Sequence, residues 1–301
     1  MKKVVSVSLG SSKRNHQARA KFFGQEFEIE RIGTDGDFNK AIEMLKELDG
    51  NVDAIGLGGI DLYLFANGKR YEIRDAKKLR GALKKTPIVD GSGLKDTLER
   101  ETVRYLTEKV GLSLKDKKVL MTSAVDRFGM AEALDAAGCK ITFGDLIFGL
   151  NLPLPIRSLS AFSVVASMLL PIVVRMPFKM LYPTGEKQEK EPNVKYVKYY
   201  DEADIIAGDY LFIRKYMPQN MEGKLILTNT ITSEDVEDLK SRRVKLLVTT
   251  TPEFQGRSFG TNVMEATMVA ILGKRVEEIR SEDYLELLNK LNFKPRIIKF
   301  N

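Results

Sequence analysis

At 301 residues the chain is long enough for two α/β domains, and its 43% hydrophobic and 30% charged residues are ordinary for a globular protein that works in water. Its 48 basic and 41 acidic residues give a net charge of +7, too mild an excess to argue for nucleic acid as a partner. The one cysteine, Cys139, cannot form an internal disulfide, and one cysteine with one histidine cannot build a zinc site of the usual ligand types.

Lys3 to Leu9 reads as a first strand. MKKVVSVSLGSS turns polar within a few residues, so a signal peptide is not expected and a cytoplasmic location is the default. Ser11, Ser12 and Lys13 open a polar, basic loop running to His16 that can hold a carboxylate or phosphate. Phe22 to Ile32 alternates like a half-buried strand or hairpin, and Asp37 can cap a helix from Phe38 to Leu48. Val52 to Leu57 is a buried strand ending in Gly58 and Gly59, with Asp61 beyond. Asn67-Gly68, between Leu62–Ala66 and Arg70–Arg74, is the strongest local hairpin signal. Asp75 is expected to cap a helix reaching about Lys85. Its Lys77, Lys78, Arg80, Lys84 and Lys85 read as a solvated face, with a phosphate-binding surface as the sharper alternative. A short strand, Pro87 to Asp90, then leads through Gly91-Ser92-Gly93 into a long helix, Leu94 to Val110.

Lys117 to Asp145 is the organising stretch: an apolar strand, a small polar turn from Thr122 to Gly129, a helix closed by Gly138, and a second strand ending at Asp145. Leu146 to Leu181 is apolar, but Pro171 and the flanking Arg157 and Arg175 leave it too short and interrupted to span a bilayer. It is expected to be a buried helix or an oligomer interface; the sharper reading is a wall over an apolar ligand or a membrane contact. After a polar loop, 182–193, three more strands end at Gly208-Asp209, at Thr228-Asn229-Thr230 and at Thr249-Thr250-Thr251, with Ser233 expected to cap an intervening helix. Helices from Thr261 to Leu272 and Asp283 to Leu291, and a strand from Arg296 to Phe300, close the chain.

The fold class is therefore α/β: an N-terminal α/β substrate domain, 1–112, and a Rossmann-like doubly wound parallel sheet, 113–275, with the hydrophobic insertion 146–181. Residues 276–301 pack back on the body. Ligands of such sheets bind at the carboxyl ends of the strands, which nominates Thr122, Ser123, Asp126, Arg127, Gly129, Asp145, Gly208, Asp209, Asn229 and Thr250 for a nucleotide cofactor. Ser123 and Arg127 stand where glycines are usual, and Arg127 can charge-pair with a phosphate. Asp145 lies 22 residues after Ser123, at the spacing of the acid that binds a ribose hydroxyl, which favours NAD over NADP. Lys95 with Asp90 or Asp96 is a candidate catalytic pair for moving a hydroxyl proton; the structural alternative is that Asp90 caps the helix and Lys95 is solvated. Ser11, Ser12, Lys13, Asp61 and Arg257 are candidates for binding the substrate, Arg257 from a loop between a strand end and a helix start.

The phrases VSVSLGSSKR, ERIGTDGD, GLGGIDLYL, VDGSGLK, SAVDRFGMAEAL, MLYPTGEKQ and TTTPEFQGRSFGTNVMEA resemble a bacterial family labelled quinate 5-dehydrogenase, distantly similar to shikimate and quinate dehydrogenases. The resemblance implies NAD(P)-dependent oxidation of a cyclic polyol acid, with a substrate domain preceding a Rossmann domain. It also loosely matches Ser11 and Ser12 to serines that hold a substrate carboxylate. A cytoplasmic homo-oligomer acting as an NAD(P)-dependent oxidoreductase on a small hydroxylated or anionic substrate is expected. The alternative is a non-enzymatic ligand-binding or membrane-associated protein using 146–181.

Overall fold

The computed structural model describes residues 1–66, 69–181, 196–251, 253–254, 257–258 and 260–300. The turn Asn67-Gly68, the loop 182–193 and the side chain of Arg257 lie outside the described residues. The architecture is α/β, with two sheets dominated by parallel pairing.

The first half builds β1 (Lys2–Ser8), β2 (His16–Phe22), β3 (Gln25–Gly33), α1 (Phe38–Leu48), β4 (Ala54–Gly58), β5 (Tyr63–Ala66), β6 (Lys69–Glu72), α2 (Arg74–Arg80), β7 (Ile88–Val89) and α3 (Ser92–Glu108). Its five-stranded sheet has the order β2-β3-β1-β4-β7, parallel except for the β2–β3 hairpin, and β5 and β6 form a separate hairpin. Alternation along β1 sorts its two faces. Val5 and Val7 meet Ala41 and Leu45 of α1 and Leu79 of α2 in one core cluster, whereas Val4 belongs to another cluster with Phe27, Val263, Ala266 and Val269.

The second half continues with β8 (Lys118–Met121), α4 (Phe128–Ala136), β9 (Lys140–Phe143), α5 (Leu159–Val173), α6 (Phe178–Leu181), α7 (Val197–Glu202), β10 (Ile205–Ala207), α8 (Tyr210–Tyr216), β11 (Leu225–Thr228), α9 (Ser233–Ser241) and β12 (Leu246–Thr249). A small hairpin follows, β13 (Glu253–Phe254) and β14 (Arg257–Ser258), then α10 (Thr261–Leu272), α11 (Ser281–Lys290) and β15 (Arg296–Lys299). The sheet order is β15-β12-β11-β10-β8-β9, with only β15 antiparallel. The βαβ unit expected around Lys117 to Asp145 is present as β8–α4–β9 in parallel register. One face of this sheet packs Val119, Met121 and Ala207 with Met130 and Leu134 of α4 and Phe162 of α5. The other packs Leu120, Ile206 and Ile226 with Tyr200, Tyr210, Ile213 and Leu239.

The chain crosses between the two sheets more than once. Helix α10, placed by its sequence after the second sheet, lies on the first one. A side chain on Gly56 would come within 2.8 Å of the Asn262 carbonyl and one on Gly91, at φ +95°, within 2.7 Å of the Asn262 nitrogen. These glycines let the start of α10 ride directly on the carboxyl ends of β4 and β7.

Two expected caps fall elsewhere. Ile73 precedes α2, and Asp75 sits inside its first turn, where its carboxylate accepts from Phe178 N at 3.1 Å and Lys78 Nζ at 3.2 Å. Thr232, not Ser233, caps α9: its hydroxyl accepts from Asp235 N, and Asp235 accepts from Thr232 N in return. The apolar stretch 146–181 is half-buried. Phe162, Ala166 and Leu170 point inward at every fourth residue of α5, with Phe162 stacked on Phe143 at 4.5 Å, while Val164, Met168 and Ile172 are exposed. Among the described residues no helix is long and apolar enough to cross a membrane.

Candidate functional site

The polar feature that joins the two sheets is a buried cluster of charge built from their carboxyl-terminal loops and from α3. Lys95 and Glu99 lie one turn apart on α3, so both point the same way, into the seam. Lys95 Nζ stands 3.1 Å from Asp61, just beyond β4, and 3.8 Å from Asp126 in the turn after β8. Arg127, next in that turn, sits between Glu99, to which its Nη1 donates, Asp126 at 3.6 Å, and Asp209 after β10 at 3.2 Å. Four carboxylates, Asp61, Glu99, Asp126 and Asp209, thus surround two cations.

Burial decides how these groups behave. The side chains of Arg127 and Glu99 are 2% and 0% exposed; Asp61, Asp126 and Asp209 keep 14%, 15% and 23% exposure, so solvent reaches the cluster from their side. Desolvation works against the Lys95 ammonium, yet Asp61 and Asp126 outweigh it and hold its pKa above the ordinary lysine value. Burial likewise opposes the Arg127 charge, and Glu99, Asp126 and Asp209 more than restore it. Burial pushes the Glu99 carboxyl up to about 7 against the pull of Arg127 and Lys95, and Asp126 is raised by the same cause. Among the described residues, Glu99 Oε2 and Arg127 Nε have no hydrogen-bond partner.

The rim is polar and fixed. Ser123 Oγ donates to Asp126 at 2.8 Å, Asn229 Nδ2 to Asp209 at 3.0 Å, and Leu211 N to the other Asp209 oxygen at 2.9 Å. Thr251 Oγ1 donates to the Asn229 carbonyl at 3.2 Å. The first half reaches the same turn through its hairpin, where Phe65 N donates to the Val125 carbonyl at 3.0 Å.

Of the residues nominated from sequence, Lys95, Asp61, Ser123, Asp126, Arg127, Asp209 and Asn229 come together here. Thr122 and Gly208 lie directly behind, Thr122 N donating to the Ala207 carbonyl, and Thr250 N pairs with the Thr228 carbonyl. Asp90 is held by backbone, its two oxygens accepting from Leu62 N at 2.5 Å and Ser92 N at 2.9 Å, and Lys95 pairs with Asp61 instead. Asp145 turns back onto the loop after β8, where its Oδ1 accepts from Ala124 N and Val125 N. Burial raises its pKa to about 7 despite those two donors. Gly129 serves packing: a side chain there would come within 2.9 Å of the Asp96 carbonyl on α3. Ser12 and Lys13 lie in a short 3-10 turn, Ser12–Arg14, capped by Ser11, and Ser12 N donates to Asp35 at 2.7 Å. Arg257 lies on β14, its backbone paired with Phe254.

Glu99 was not nominated, because an acid within a charged helix reads as solvated; the signal was its position four residues after Lys95, on a face that continues to Thr102 and Leu106. Asn262 was missed too. It donates to Ser6 Oγ at 2.8 Å and ties α10 to the centre of the first sheet.

The chain is similar over 96% of its length to a galactofuranose binding protein, 98% of which is covered, at 12% identity and a TM-score of 0.38. It is similar over 99% to a sugar ABC transport system substrate-binding protein from Bordetella parapertussis, 89% covered, at 9% identity and 0.38. The periplasmic binding protein component of an arabinose ABC transporter from Shewanella sp. matches over 96% of this chain and 95% of its own, at 9% and 0.35. No curated protein matches the chain. The quinate 5-dehydrogenase resemblance is corrected here, and with it the oxidoreductase reading: neither family that matches carries a dehydrogenase description. The cytoplasmic default is withdrawn as well: neither family description carries a location, and the arabinose-transporter match is titled a periplasmic binding protein. Residues 3–90 match a domain of unknown function, DUF8753, and residues 93–300 match a second, DUF8754. The chain belongs to the DUF8754 family.

Proposed function

We propose that the chain is a binding protein that holds a small, polyhydroxylated molecule in the seam between its two sheets, without chemical change to it. The observation that carries the reading is the convergence of Asp61, Asp126 and Asp209 with Lys95 and Arg127 where the carboxyl-terminal loops of both sheets meet. A hydroxyl group both donates and accepts, so a ring of carboxylates interleaved with fixed cations and the Asn229 amide matches adjacent hydroxyls better than it matches a single charge.

Preorganisation supports the same reading. Arg127 is locked by three carboxylates, Asp209 by two donors besides Arg127, and Asp126 by Ser123, so few rotamers remain to be ordered when a ligand arrives. Ligand hydroxyls placed against Asp61 and Asp209 would bridge loops from the two halves and hold them together.

A thermal-unfolding screen with pentoses, hexoses and acyclic polyols tests the proposal. A ligand present at about a hundred times its Kd stabilises the fold by roughly 2.7 kcal/mol, a clear upward shift in Tm. A panel in which no compound raises the Tm of the folded protein contradicts the reading.

A further inference from the structure

The basic stretch after the β5–β6 hairpin takes no part in the seam, and its cations do not all face water in the same way. Arg70, Arg74 and Lys77, from β6 and α2, converge with Arg175, Pro171 and Val174, at the end of α5, to line a groove of about 560 Å³. We propose that this groove is a second binding site, for a small phosphorylated organic molecule whose phosphate lies among the three arginines and whose apolar part lies on Pro171 and Val174.

Three observations carry it. The charge is unbalanced: four cations line the groove against one carboxylate, Glu72. Glu72 is shared between Arg80 at 2.7 Å and Lys77 at 3.8 Å, and the neighbouring Asp75 between Lys78 at 3.2 Å and Arg74 at 3.7 Å, so the two carboxylates are divided among four cations and, among the described residues, Arg70 and Arg175 are paired with neither. Helix α5 contributes no acid, because residues 159–173 contain none.

The groove is also built from both sides. Arg74 N donates to the Val174 carbonyl at 2.9 Å, which fixes the start of α2 against the end of α5. The Arg70 guanidinium lies 5.7 Å from the Tyr63 ring centre and 5.6 Å from that of Phe65, so it is partly held in place before any anion arrives. Planar guanidinium groups meet phosphate oxygens in pairs, and the volume falls within the range of small-molecule sites. Lys84 and Lys85, basic residues of the same stretch, are set apart: their backbone N–H groups are tied to Asp49 at 2.9 Å each, and they do not line the groove.

Calorimetric titration of the full chain with hexyl phosphate and with inorganic phosphate, at low ionic strength, tests the site. Hexyl phosphate is expected to bind one-to-one and more tightly than phosphate. Arg74→Glu with Arg175→Glu is expected to weaken it about tenfold or more, and Lys84→Glu with Lys85→Glu to leave it unchanged. All four residues are exposed on their side-chain faces, and matching Tm values will show that each variant folds. Absence of saturable binding, equal affinity for the two probes, or equal weakening by the Lys84 and Lys85 changes would each overturn the proposal. Because the probes carry no polyol, failure here leaves the seam reading standing, and failure of the polyol screen leaves this one.

Discussion

The Arg127 guanidinium, 2% exposed, is pressed against the Glu99 carboxylate, 0% exposed, across the packed helices α3 and α4. An ion pair so completely removed from water stabilises the fold only while both partners are present. Replacing Arg127 with Met is expected to cost about 3–5 kcal/mol in urea denaturation, because it strands Glu99 and unbalances Asp126 and Asp209. A loss under about 1 kcal/mol would mean that the cluster is far wetter than its geometry.

Glu99 also gives the cluster a pH dependence. Burial raises its folded pKa from 4.5 to about 7. A folded pKa above the unfolded one means that the associated stability is complete below about pH 4.5 and is lost as pH rises through about 7. Glu99→Gln, which mimics the protonated form, is therefore expected to gain on the parent protein between pH 5 and pH 8. Parallel stability curves for the two proteins over that range would refute the assignment.

The two faces of α5 separate cleanly. Phe162, stacked on Phe143 and 1% exposed, is expected to cost about 3–5 kcal/mol when changed to Ala. Met168, 69% exposed on the other face, is expected to shift stability by less than about 0.5 kcal/mol when changed to Ser. Thermal unfolding of both variants would check the orientation of the helix.

Gly129 is a packing glycine in this fold. Gly129→Ala would place a methyl group 2.9 Å from the Asp96 carbonyl oxygen and force α3 and α4 apart. The expected cost is about 1–3 kcal/mol, read as a lower urea midpoint. An unchanged midpoint would return Gly129 to the role of a ligand-approach residue.

Much of the fold was legible because apolar runs and turn residues act locally. The strand ends at Thr122, Gly208, Asn229 and Thr249 and the helix Thr261 to Leu272 follow from such patterns. The site was legible only in pieces. Lys95 and Asp61 were assigned to different tasks from Asp126, Arg127 and Asp209, because nothing local says that the carboxyl ends of two sheets meet. Nor does any local pattern carry α10 back to the first sheet, where Gly56 and Gly91 give it room. Gly129 and Asp145, which look like cofactor residues by spacing, are occupied in the structure with helix packing and with the backbone of their own turn, contacts that no local pattern announces.

The most direct test of polyol binding in the seam is calorimetry with the best compound from the screen, on the parent chain and on Asp209→Asn. Asn at 209 keeps an oxygen for Leu211 N but removes the negative charge that faces Arg127 and Asn229. Saturable one-to-one binding to the parent is expected, weakened about tenfold or more in the variant at a temperature where thermal unfolding shows both proteins fully folded. Equal affinity of the two proteins would contradict it.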